Sequence, residues 1–138
     1  MKRICCILFL CLCKCQSPSY SEKLLERFYD LFDSSNFDYK YLIIIPNSGC
    51  SGCITNAETF FIENKERTDV FFVFTRVQSR RELQLRVGEE NLNRSNVYID
   101  SNNRLYFKEF EDSVYPVIFS FQDNEIIFDY LHANMVLP

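Results

Sequence analysis

Two thiols with two residues between them, Cys50-Ser51-Gly52-Cys53, form the most reactive grouping in the chain. A thiolate is a nucleophile, a metal ligand and a partner in disulfide exchange. A free cysteine ionises near pH 8.5, and placement at a helix N-terminus with this spacing lowers that to about 3.5–7.5. Three kinds of chemistry are open to such a pair: redox exchange, a structural disulfide, or half of a metal site. Two thiolates fall short of the four ligands of a closed zinc site, so a metal would require a second copy of the chain. The single histidine, His132, lies near the end of the chain and reads as a surface residue rather than a ligand.

The residues around the pair say what holds it. Tyr41 to Ile45 is apolar without alternation, as in a strand buried on both faces. Pro46 ends it and Asn47-Ser48-Gly49 turns the chain. From Ser51 to about Asn64 the apolar residues Ile54, Ala57, Phe60 and Phe61 recur at helical spacing. Before this unit, Ser21 to Phe32 reads as an amphipathic helix capped by Ser21. After it come a buried strand at 69–75, a helix from Gln78 to about Glu90, and a short strand at 96–100. Residues 101–115 read as loop with some extended structure. Strands at 117–121 and 126–131 follow, joined by a turn at 122–125. Strands alternating with helices predict an α/β fold: a central, largely parallel sheet flanked by helices, with an antiparallel hairpin at its C-terminal edge.

Composition bounds the rest. The chain has 138 residues, of which 47% are hydrophobic and 16% aromatic, enough for one core. Residues 1–15 hold Lys2, Arg3 and the apolar run Ile4–Cys13, together with five of the seven cysteines. The run is too short to span a bilayer and reads as a secretory signal. Its end resembles a bacterial lipoprotein signal, with Cys15 the candidate for lipidation, ahead of Cys13 and Cys11. Leu12 three residues earlier fits that pattern, whereas Lys14 occupies a place normally held by a small residue. The expected organisation is therefore a signal over 1–15, a tether over 16–20 and a domain over 21–138. The first 15 residues carry three basic groups and no acidic ones, so 12 basic and 19 acidic residues remain, a net charge of −7. Such a domain has no general attraction for nucleic acid. Arg76, Arg80, Arg81 and Arg86 form the one basic cluster and read as a solvated helix face. Glycine-rich phosphate loops and paired catalytic carboxylates are absent from the sequence. An exported domain with only Cys50 and Cys53 stands in a compartment that permits disulfides.

The order of elements resembles the thioredoxin fold. There the first central strand leads into a Cys-x-x-Cys motif that opens a helix, here Cys50-Ser51-Gly52-Cys53. A proline in the cis form precedes the final hairpin and packs beside the cysteines, here Pro116 in "SVYPVIFSFQDNEIIF". The resemblance spans roughly residues 41–131. It implies thiol–disulfide exchange on protein thiols and disulfides of the cell envelope, without a cofactor or metal. Cys50 would be the exposed nucleophile, Cys53 the more buried resolving thiol, and Ser51 and Gly52 would tune the potential. Tyr115 and Pro116 would offer free backbone to an extended substrate. The chain departs from thioredoxin in having no Trp, Gly49 directly before Cys50, and Ile44 where thioredoxin has an acidic proton acceptor. The overall likeness is to exported, lipid-anchored thioredoxin-like proteins. The rival expectation is a binding module that keeps the fold and holds Cys50 and Cys53 as a structural disulfide.

Overall fold

The computed structural model describes residues 17–33, 37–122 and 125–138. The expected signal and the candidate lipidation site Cys15 lie outside them. Helix α1 covers Tyr20–Leu31. Strand β1 (Tyr41–Pro46) and helix α2 (Ser51–Asn64) follow, then strand β2 (Val70–Thr75). Helices α3 (Arg80–Val87) and α4 (Glu89–Leu92) lead to strand β3 (Val97–Ile99). A 3-10 turn at Glu111–Val114 precedes strands β4 (Val117–Gln122) and β5 (Glu125–Tyr130).

One mixed sheet of five strands runs in the order β3-β2-β1-β4-β5. β1, β2 and β3 are parallel, and β4 and β5 are each antiparallel to their neighbour. Alternation along β1 explains why it reads as continuously apolar. Tyr41, Ile43 and Ile45 face the layer of α2 and α3, where they meet Ala57, Phe60, Phe61 and Leu83. Leu42 and Ile44 face the other layer, with Leu24 and Phe28 of α1. β2 divides in the same way, Phe72 and Phe74 to one side and Phe71 and Val73 to the other. Every residue of both strands is buried because helices cover both faces.

Several local expectations change. The cap of α1 is Ser19, not Ser21: Ser19 and Glu22 form a capping box in which each satisfies a backbone N–H of the other. The helix therefore starts one residue early, and Tyr20 is buried. The expected helix over 78–90 is shorter and divided. Ser79 caps α3 through the Glu82 N–H, and Gly88 at φ 88° closes it and separates it from α4. A φ of 88° is one that L side chains rarely adopt, so this break depends on glycine. The stretch expected to be partly extended contains turns and the 3-10 segment instead. Buried Asp100 organises its start, accepting from Thr75 Oγ1 and from the backbone N–H groups of Arg104 and Leu105. Leu105 and Phe107 then join the α1 layer.

Candidate functional site

The parallel strands β1 and β2 end side by side, Pro46 against Thr75. The loop Asn47–Gly49 leaves this carboxyl edge and delivers Cys50 to the start of α2 as its N-cap. Cys50 and Cys53 are joined by a disulfide, with Cα atoms 5.2 Å apart. Cys50 Sγ also accepts from the Cys53 backbone N–H at 3.3 Å. One of the unpaired N–H groups at the helix start thus points at the first sulfur, where the macrodipole favours negative charge. The first turn of α2 holds no acidic side chain to oppose that effect.

Cys50 is not the exposed thiol that was expected. Both cysteines are half-buried. Gly49, Ser51 and Gly52 around Cys50 are exposed, and a β-carbon at Gly52 would meet nothing within 4 Å. Cys53 lines a cleft of about 440 Å³ together with Asn56, Asp112, Tyr115, Pro116, Tyr130, Leu131, His132 and Ala133. Pro116 thus lines the same cleft as Cys53. His132 on its rim is largely exposed, 3.8 Å from the Asp129 carboxylate. Burial pushes the Tyr130 phenol up from its ordinary value, and Asp112 adds to this. Tyr130 therefore stays neutral through the physiological range.

Two expectations for the proline segment are corrected. No cis peptide bond occurs among the described residues, so the Tyr115–Pro116 bond is trans. Tyr115 adopts φ −99° and ψ 142°, the extended conformation that a following proline imposes. The trans form is the intrinsically favoured one by about 0.5–1 kcal/mol. Nor is the Tyr115 backbone wholly free, because its N–H donates to the Asp112 carbonyl at 3.0 Å. Its side chain remains 42% exposed on the cleft wall.

The loop before Cys50 is held by residues that sequence reasoning passed over. Asn47 donates to Glu58 Oε1 at 2.8 Å and accepts from Arg86 Nη2 at 3.0 Å. Arg86 Nε in turn donates to Glu58 at 3.0 Å, so a nearly buried carboxylate is paired and its hydrogen bonds are satisfied. Ser48 is held from the other side, its carbonyl accepting from Arg76 Nη1 at 2.8 Å. The arginine cluster is therefore not one solvated helix face. Arg80 and Arg81 are exposed on α3, whereas Arg76 and Arg86 brace the cysteine loop. Only the serine and asparagine in the turn hinted at this, as side chains and carbonyls in need of donors.

Among the described residues, no group of three or more His, Cys, Asp or Glu is placed to hold a metal ion. No described helix is long and apolar enough to cross a membrane. Comparison with protein-family models, with curated proteins and with solved structures finds no match for this chain.

Proposed function

We propose that the protein is a thiol–disulfide oxidoreductase of thioredoxin-like fold that acts on protein disulfides through Cys50 and Cys53. The observation that carries the reading is the Cys50–Cys53 pair at the N-terminus of α2, with Pro116 in the cleft that Cys53 lines. Helices on both faces of the mixed sheet and the antiparallel β4–β5 pair support the fold assignment. With a signal over residues 1–15 and lipidation at Cys15, the domain would work outside the cytoplasm on partners in the cell envelope.

In the reducing direction, the Cys50 thiolate attacks one sulfur of a partner disulfide. A Cys50–partner bond forms, and the partner's other sulfur leaves as a thiolate. Cys53 then loses its proton and attacks Cys50 Sγ. The mixed disulfide breaks, the second partner thiol is released, and Cys50–Cys53 closes. Two electrons pass from the protein to the partner, and the reverse sequence oxidises a partner dithiol. The turn of helix between the cysteines is what makes the second attack intramolecular. The cleft beside Cys53 gives an extended partner segment a place against Tyr115 and Pro116.

The two cysteines have different duties in this scheme, so their variants must differ. In cells, Cys53→Ala accumulates mixed disulfides through Cys50, visible as reducible high-mass species on non-reducing gels. Cys50→Ala accumulates none and has no exchange activity. A Cys53→Ala protein that traps nothing removes the mechanism. A binding module with a structural disulfide would instead lose stability equally with either substitution and keep its partner.

A further inference from the structure

Arg76 follows the last residue of β2 and takes a left-handed backbone at φ 55°, uncommon for a side chain other than glycine, asparagine or aspartate. The turn is secured by the Asn103 side chain, which accepts from the Arg76 backbone N–H at 2.9 Å. The guanidinium is fixed twice more. Nη1 donates to the Ser48 carbonyl at 2.8 Å, and the guanidinium carbon lies 4.3 Å from the centre of the Tyr106 ring. A β-carbon built on Gly49 would stand 3.5 Å from Nη1, so the cation lies against the residue that precedes Cys50. Among the described residues no carboxylate pairs with Arg76, although Arg67, Arg86 and Arg94 each have one. A half-buried, permanently charged and uncompensated cation is thus held in a strained turn beside the start of α2.

Resting on the exchange reaction above, we propose that Arg76 is a positioning residue that favours the Cys50 thiolate. It fixes the Ser48–Gly49 loop through the Ser48 carbonyl and adds its charge to the field of the α2 N-terminus. When the disulfide is reduced, Cys50 gives its proton to water, and the resulting anion faces this field. The ionisable side chains of the cleft, Asp112, Tyr115, Tyr130 and His132, lie on the side of Cys53. Opposite charge close to a titrating group shifts it by about one unit or more, a tenfold change in the thiolate fraction.

The test follows Cys50 itself in the reduced full-length chain. Its alkylation rate by iodoacetamide is read across pH by peptide mass spectrometry, which separates it from the six other cysteines. In the unsubstituted protein the midpoint is expected well below about 8.5. Arg76→Gln should raise it by about one unit, and Arg76→Lys, which keeps the charge, should restore most of the difference. The Gln variant should also make the pair more reducing, by about 30 mV for each tenfold change. A low midpoint that Arg76→Gln leaves unchanged overturns the role of Arg76 and spares the oxidoreductase reading. A midpoint near 8.5 in the unsubstituted protein overturns both. Should Arg76→Gln lose its fold by circular dichroism, Asn103→Ala loosens the Arg76 turn without altering any charge. It should then raise the midpoint by a smaller amount, and an unmoved midpoint there is equally fatal to the proposal.

Discussion

Gly49 shows how a single residue lets the cysteines and the proline segment meet. Its φ of 133° is one that L side chains rarely adopt, and a β-carbon there would stand 3.1 Å from Val114 Cβ. Val114 ends the 3-10 turn that leads into Tyr115 and Pro116. Gly49→Ala thus meets both backbone strain and a close neighbour. The variant is expected to lose about 1–3 kcal/mol in urea unfolding with an unchanged denaturant slope. A loss under a few tenths would mean that the loop does not need glycine. At this scale the cysteine pair was legible because its meaning is local: strand, turn and helix start adjoin in sequence. The isomer of Pro116 was not, since tertiary surroundings choose between two forms of similar energy. Arg76 was misread because its partners, Ser48, Asn103 and Tyr106, lie 28, 27 and 30 residues away, and no pattern in a linear sequence joins them.

Elements were legible where apolar spacing was strong. β1 and β2 have the expected extent to within a residue, and so does α2, since their side chains alternate or recur cleanly. Boundaries failed where capping decided them, as at Ser19 and Gly88, because a cap is a hydrogen bond or a dihedral rather than a hydrophobic period. One tie between elements has a pH signature. Arg67 donates to both oxygens of Asp69 just before β2, and to the carbonyls of Leu137 and Pro138, fastening the C-terminal residues near the sheet. The hydrogen bonds from Arg67 hold the Asp69 carboxyl below its usual range. A depressed folded value stabilises the fold above the ordinary carboxylate range, and this contribution is lost as pH falls through the depressed value. The unsubstituted protein should therefore lose more stability between pH 7 and pH 3 than Asp69→Asn does. Equal losses in paired urea titrations would show that the pair contributes nothing.

The whole molecule is a scaffold with a layer of side chains on each face of one sheet. Phe61 of α2 lies 5.0 and 5.1 Å from Phe72 and Phe74, ring edge to ring face, so the helix that carries the cysteines is seated on β2. The opposite layer gathers Phe28, Phe32, Phe37 and Phe71. Aromatic side chains thus fill both layers, one seating α2 on the sheet and the other seating α1. That much was implicit in composition and alternation. The cleft was not, since it forms where α2, the turn before β4 and the segment after β5 converge from distant parts of the chain. The most direct test of the account is the equilibrium between Cys50–Cys53 and glutathione. The full-length protein is brought to equilibrium across a series of glutathione redox buffers, quenched, and the pair scored by peptide mass spectrometry. A catalytic pair is expected to titrate between roughly −120 and −270 mV, and the value itself gives the favoured direction of electron flow. A potential below about −300 mV would mark a structural disulfide and contradict the assignment as an oxidoreductase.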